Sequence, residues 1–590
     1  MVAALVLCVI ATGACARKPR KPGEPEAPKA STREELAKVL EAGVQGLGVP
    51  DTSGADSTWD WVKQFYAQRG GGPVWSGRSP HRQLSELVHA VERVGEAGLD
   101  PHAYNAEELT RLLAQAKGGG ITSLFTREKT LARLDVLATY AALRVAPHLR
   151  DGHIARGLLD PDWTPRGRAT DWFSYFHDRI VRDPERSLSV LEPRHDGYRR
   201  LRNALDYYRV IAAAGGWPEL PAGPPLQEGD HDARVPILIR RLAITGDLPP
   251  GARRDTVYSK QLVHAIGELQ TRYGIPRSGV VGEATRQLLN VPVAIRIRQI
   301  ELNLERWRWL PDDLGDRHVE VNIPAYHLEL WDQGRVQRAM RVVVGKKRSP
   351  TPVFSDRLAY VDINPTWTLP PSVVTKEIVP ALKRNPEYLA LNRMHVVSIA
   401  DAKRDTVDPT QVPWKDAASD SFLFLIIQEA GPDNPLGRVK IMCPNEYDVY
   451  LHDSPQRGRF AVAQRDYSHG CVRVEEAAEL ADSLLGVTAS DTLFVDSLAT
   501  RPDWRRVRLP RQVPVHFLYW TAWADSEGHM CFRDDLYGLD QRLDQALRDG
   551  TTRQFALNPG VALSPFWLAA ERKEREIAER AVAARAPRRK

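Results

Sequence analysis

Two hydrophobic periods divide this chain. From Trp59 to Leu310 apolar positions recur at helical spacing, and from His318 to Trp520 they mostly alternate with polar ones, as in strands. Leu84, Leu87, Val88, Val91 and Val94 predict one amphipathic helix, and Leu131, Leu134, Leu137, Ala138, Ala141 and Ala142 predict another. Gly98-Leu99-Asp100-Pro101 and Asp160-Pro161-Asp162-Trp163 punctuate this region. A compact three-helix unit is predicted between Asp232 and Pro292: Leu262, Ile266, Leu269 and Tyr273 share a face, Gly274-Ile275-Pro276 and Ser278-Gly279-Val280-Val281-Gly282 turn the chain, and Glu283 to Leu289 ends it at Asn290. Val291 to Leu310 then predicts a long connecting helix.

Strand signals follow. His318–Ile323, Tyr326–Leu330, Met340–Val344 and Ala359–Ile363 are β-rich segments parted by Gly or Pro, with Thr492–Val495 as the closing strand. Arg438–Met442 alternates as a strand, Pro444 and Asn445 turn it, and Asp448–His452 returns. Val373 to Leu389 interrupts the pattern with a helix, and a polar, Asp-rich loop follows, so a lid insertion is predicted at about 370–420. The fold class is therefore multidomain α+β. The expected layout is a linker over 17–54, a helical scaffold over 55–231, the helical module over 232–292, a connecting helix over 293–315 and a mostly-β sandwich or barrel over 316–500. A packing extension over 501–550, with a strand at Val513–Trp520 and a helix at Leu536–Leu547, precedes a basic tail over 551–590.

Composition changes this picture little. With 590 residues, 43% hydrophobic and 26% charged, the chain exceeds one core and has ordinary globular composition. The net charge of +6 resides partly in Arg17, Lys18, Arg20 and Lys21 and in Arg585, Arg588, Arg589 and Lys590, so no nucleic-acid partner is expected. The linker is rich in Pro, Glu, Lys and Ala and reads as a tether with one nascent helix around Arg33 to Leu47. Val2 to Ala16 is an apolar run of small residues before a basic, Pro-rich stretch, the pattern of an export signal over 1–16. Cys15 after Gly13-Ala14 is similar to a lipoprotein processing site, which would give a membrane tether through the N-terminus; cleavage and a retained anchor are the alternatives. Each places the remainder outside the cytoplasm, in a periplasm. His81, His89 and His148 read as surface histidines, Cys443 and Cys531 as small buried hydrophobes, and no Cys/His spacing predicts a metal.

The candidate chemistry lies in Tyr450-Leu451-His452-Asp453-Ser454-Pro455 and Ser468-His469-Gly470-Cys471-Val472-Arg473. Cys471 occupies a tight turn ahead of an amphipathic run, Val474 to Leu485, terminated by Gly486. A helix start just after Cys471, with Arg473 beside it, would favour a thiolate. His452 at a strand end can approach the sulfur as base, whereas His469, two residues away in the turn, would point elsewhere. The N–H groups of Gly470 and Cys471 are candidates for an oxyanion hole.

At these residues the chain resembles the L,D-transpeptidases of the YkuD-domain family, in which a His precedes Ser/Thr-His-Gly-Cys-x-Asn/Arg; here fifteen residues separate His452 from Ser468. Gly431 to Lys440 and Leu451 to Pro455 resemble its large, multidomain, YcbB-like branch. Cys443 departs from the larger apolar residue expected there. The resemblance implies that Cys471 is acylated, that His452 is the base and that the Asp453 carbonyl orients it. Arg473, Tyr450 and Ser468 are candidates for substrate contacts. Leu269–Ile275 with Ser278–Thr285 resembles the peptidoglycan-binding-1 module. The implied activity is 3→3 cross-linking of donor and acceptor peptidoglycan stem peptides with release of D-Ala, without cofactor, alongside cell-wall synthesis partners. An L,D-carboxypeptidase using the same site, and a non-catalytic wall-binding protein, are the alternatives.

Overall fold

The structure is a computed structural model, and it describes residues 32–549 apart from 48–57, 78, 119–120, 155–169, 250–254, 401–404, 420, 488–493 and 501–502. The export signal and the basic tail expected at the two ends lie outside the described residues.

The scaffold is built on the long helix Ile121–Asp151, against which Thr58–Gln68, Arg82–Glu92 and Ala106–Lys117 pack. The Asp135 carboxylate is fully buried in its interior. Asp135 accepts hydrogen bonds from the Val74 and Trp75 N–H groups (2.9 Å each), Ser76 Oγ and Tyr66 Oη (2.8 Å each), tying the strand-like turn after Gln68 to the helix. Two expectations are corrected here. Thr32–Gly46 is a helix of this core, with Leu36 and Leu47 fully buried and the Leu47 carbonyl accepting from Arg133 Nε at 2.7 Å. It is no tether, because its apolar face (Leu36, Val39, Leu40) finds the long helix. His148 is buried rather than superficial: Tyr104 Oη lies 2.9 Å from its Nδ1 and His153 stacks on it at 4.4 Å.

The helices Val235–Ile244, Lys260–Tyr273 and Glu283–Leu289 form the predicted module, and Ser259 and Gly274 cap the middle one. Their core is continuous with Tyr198, Leu205, Trp307, Trp520 and Phe532 of other parts of the chain, so the module is built into the molecule and not hung from it. Val293–Arg308 is the predicted connecting helix. It joins three regions at once: Glu305 accepts from the Ile154 N–H at 2.9 Å and from Arg308 at 2.9 Å, Asn303 exchanges hydrogen bonds with Thr521, and Arg306 pairs with Asp540.

The β region contains β1 (Arg317–Asn322), β2 (His327–Asp332), β3 (Arg335–Gly345), β4 (Phe354–Ile363), β5 (Trp367–Thr368), β6 (Met394–Ser398), β7 (Thr406–Val407), β8 (Phe424–Gln428), β9 (Val439–Met442), β10 (Leu451–His452), β11 (Asp466–Ser468), β12 (Val472–Val474) and β13 (Arg505–Leu518). Nine of them form one sheet in the order β11-β3-β12-β10-β9-β4-β13-β1-β2, and a further β2–β3 pairing closes it into a barrel. Val, Ile and Leu from alternate positions fill the interior, including Val321, Val342, Val361, Ile441, Leu451 and Val472. The segment after residue 500 was expected to pack on this domain, yet β13 is one of its central strands, parallel to β1 (Val319↔Val515) and antiparallel to β4 (Val361↔Val507). The closing strand expected at Thr492–Val495 is replaced by a helix, Phe494–Ala499, in its described part.

The insertion is larger and more regular than a polar loop. β5 pairs with β8 (Trp367↔Gln428) at its base, and β5-β8-β6-β7 make a separate sheet. Helical segments from Pro371 to Arg384 cover it over a core of Val373, Ile378, Val396 and Ile426.

Candidate active site

Strand register gathers the site. His452 on β10 is paired with Arg473 on parallel β12 and with Lys440 on antiparallel β9; Lys440 is paired with Asp362 on β4, and Asp362 with Arg506 on β13. Since paired residues project from one face and their neighbours from the other, Arg506, Asp362, Lys440, His452 and Arg473 form a single polar row across five adjacent strands. Their neighbours Val439, Ile441, Leu451 and Val472 point into the barrel. Tyr450 and Cys471, two residues before His452 and Arg473, lie on the polar face as well, and the Val472 N–H donates to the Tyr450 carbonyl at 3.0 Å.

The histidine is oriented by its own chain. His452 Nδ1 lies 2.6 Å from the Asp453 carbonyl, which fixes the proton on Nδ1 and puts the lone pair on Nε2; the Pro435 carbonyl also acts on the ring. The Asp453 carboxylate is turned away, accepting from the Arg438 N–H at 3.0 Å and from Arg457 at 3.2 Å. Gly437, at φ +62°, passes so close to this carboxylate that a Cβ there would stand 2.3 Å from Asp453 Oδ2. Burial, with Arg473 adding to it, pulls His452 down to about 3, so it is a neutral imidazole at neutral pH.

Cys471 is half-buried, and its thiol donates to the Asp448 carbonyl at 3.4 Å. Burial raises its thiol above the ordinary value, opposed by hydrogen bonds from Tyr450 and by the Lys440 charge. The expected helix-end effect is corrected. β12 follows Cys471, and the helix starts only at Ala477, running to Leu485 with Gly486 as its left-handed cap. Dipole effects fade within a turn, so this helix end does not act on the sulfur. The resting pair is thus neutral thiol and neutral imidazole.

The remaining predicted residues divide. Tyr450 meets the His452 ring edge-on at 5.7 Å, has its phenol near the polar groups of Cys471 and of Trp367 of the insertion, and carries Lys440 Nζ at 4.0 Å over its ring. Arg473 is held by Gln456 Oε1 at 3.0 Å and has a buried Nε with no partner among the described residues. Ser468 Oγ accepts the Gly470 N–H at 3.1 Å, which withdraws that N–H from the oxyanion role and leaves Cys471 N–H as the predicted donor. Gly470, at φ +127°, needs its missing Cβ, and Thr351 Oγ1 donates to its carbonyl at 2.7 Å. His469 faces outward to the insertion: its Nε2 is 2.8 Å from Glu377 and 3.2 Å from Lys346 Nζ.

Sequence reading gave no role to Lys440, Trp367, Glu377 or Lys346. Only Lys440 had a signal, since the alternation that sends Val439 and Ile441 inward sends it to the face of His452. Cys443 and Cys531 are unpaired and buried, as expected, and burial pushes each thiol up to about 12.

Residues 316–500 match the L,D-transpeptidase catalytic domain (YkuD), residues 60–205 a scaffold domain, and residues 231–289 a "Putative peptidoglycan binding domain". A Haemophilus influenzae protein named "Putative L,D-transpeptidase" is 31% identical over 249 residues, 42% of this chain and 49% of that protein. The chain thus spans about half the length of this curated relative. An L,D-transpeptidase from Xylanimonas cellulosilytica aligns at 16% identity over 51% of this chain and 100% of its own, with a TM-score of 0.18. The Ldtfm–avibactam carbamoyl enzyme aligns at 11% over 54% and 98%, with a TM-score of 0.17. Scores of this size add nothing to the fold derived above. Cys471, His452, Lys440 and Arg473 thus lie within the residues that match an L,D-transpeptidase catalytic domain, which stands in this chain beside segments that match a scaffold domain and a peptidoglycan-binding domain.

Proposed function

We propose that the protein is an exported peptidoglycan L,D-transpeptidase that makes 3→3 cross-links through a thioester on Cys471. One observation carries this reading. Within a segment that matches the L,D-transpeptidase catalytic domain, strand register sets Cys471 on the face that bears His452, whose Nδ1 is bound by a carbonyl. His452 Nε2 takes the thiol proton as the sulfur attacks the carbonyl carbon of the third stem residue. The C–N bond to the terminal D-Ala breaks, and D-Ala leaves with that proton on its amine. The side-chain amine of residue three on a second stem then attacks the thioester, His452 removes its proton, the C–S bond breaks and the thiol is restored. The Cys471 N–H stabilises the oxyanion in both steps. Arg473 and Tyr450 contact the donor stem, with Ser468 shaping the turn. No cofactor enters the scheme. The active compartment is the periplasm, with Cys15 as a lipid attachment site.

Muropeptide analysis after incubating the purified protein with tetrapeptide-bearing peptidoglycan tests this. Dimers joined 3→3 are expected; tripeptides alone would identify a carboxypeptidase, and unchanged wall would leave only binding.

A further inference from the structure

The polar row contains a cation that the scheme above does not use. Lys440 is half-buried in the middle of the sheet, and among the described residues its ammonium makes no ion pair. Asp362, its cross-strand neighbour, is already held by two hydrogen bonds from Arg506, at 2.7 and 3.0 Å. The ammonium lies instead 4.0 Å from the centroid of the ring of Tyr450, which the pairing of Leu451 with Val472 and the 3.0 Å hydrogen bond from the Val472 N–H set beside Cys471. A desolvated cation with its counter-ion engaged elsewhere is an unspent positive potential beside the sulfur.

We propose that Lys440 is a positioning residue that holds Tyr450 against Cys471 and stabilises the sulfur as it becomes a thiolate, the role the helix end cannot play. It rests on the reading of Cys471 as the nucleophile. Burial lowers Lys440 below its ordinary value, and the charges of Asp362 and then Cys471 raise it again. The other groups facing this pair are Asp362 with Arg506 from β4 and β13, Asp448 and Tyr450 ahead of β10, His452 on β10, and Arg473 on β12 with Arg459 beyond it. Asp448 opposes the thiolate, and Arg473 acts on both His452 and Cys471. Lys440 is the cation that sits on the Tyr450 ring, and its charge lowers the Cys471 thiol.

The test is the pH dependence of Cys471 alkylation by iodoacetamide in the full chain, with Cys471→Ala defining the background from other thiols. Lys440→Met is expected to move the alkaline inflection upward by about one pH unit, the lower end of the effect of a nearby opposite charge, so alkylation below the inflection falls about tenfold. Lys440→Arg is expected to restore most of it. Lys440→Gln, a polar replacement, gives the same answer if Lys440→Met fails to fold. Coincident inflections for wild type and a folded charge-removing variant, or no rescue by Lys440→Arg, overturn the proposal. Alkylation reads the thiol itself, so this result stands apart from the muropeptide result: normal cross-links with unmoved inflections refute only the role of Lys440, and a moved inflection without cross-links refutes only the reaction.

Discussion

Asp135 in the scaffold and His452 in the catalytic barrel are both buried ionisable side chains, yet their surroundings differ in kind. Four donors converge on Asp135 from a turn and a helix, so its carboxylate has its hydrogen bonds satisfied and its position fixed. His452 has backbone carbonyls, of Asp453 and Pro435, as its hydrogen-bond partners and, among the described residues, no carboxylate. Around it Cys471 is half-exposed, Arg473 keeps a buried Nε without a partner among the described residues, and Lys440 has a ring in place of a carboxylate. Complete satisfaction secures a fold. Incomplete satisfaction leaves groups whose bonding can change as a substrate arrives.

Substitutions at the two places should therefore separate rate from stability. The largest effect is expected from Cys471→Ser, which abolishes cross-linking because an alcohol is not ionised near neutral pH, while the thermal melt stays near wild type. Retained cross-linking would remove Cys471 from its role. Asp135→Ala should show the reverse pattern. It strands the Val74 and Trp75 N–H groups with two hydroxyls, and a loss of about 3 kcal/mol or more is expected in a denaturant titration. Acylation per folded molecule should not change; a melt within the error of wild type would show that the scaffold carboxylate is not the fastening point described here.

A subtler difference is in pH. His452 sits at about 3 in the folded protein against an ordinary 6.5, so the unfolded chain takes up a proton that the folded one refuses. Its contribution is present above pH 6.5 and is lost as pH falls toward 3, and the melting temperature of wild type should drop relative to His452→Ala across that range. A parallel pair of melting curves would indicate an ordinary histidine. The smallest effect is expected at Glu377→Gln, which weakens the hydrogen bond from the insertion to His469 and should alter acylation only a few-fold, within the range of one exposed charged pair.

Much of this contrast was legible in the sequence, and the losses have physical reasons. Alternation located β1, β2, β3, β4 and β9, and the spacing of His452 from Cys471 singled out the pair. Val474, Ala477 and Ala481 fit helical spacing equally well whether Val474 begins the helix or ends a strand, so the spacing starts the helix at the last residue of β12 and the dipole argument follows from that. His148 looked superficial because its partner Tyr104 is 44 positions away and only the fold joins them. The insertion sheet depends on β5 pairing with β8 across some sixty residues, and β13 joins a barrel begun nearly two hundred residues earlier. Local pattern carries no trace of such pairings. The helix Thr32–Gly46 had its apolar stripe, but its polar flanks read as linker.

The central claim is that His452, and not its neighbour in sequence His469, serves Cys471. Stopped-flow acylation by a carbapenem measures this step alone. His452→Ala is expected to slow it by about 10²–10⁴-fold, the usual contribution of a general base, and His469→Ala by much less. A His469→Ala variant slower than His452→Ala would contradict the assignment.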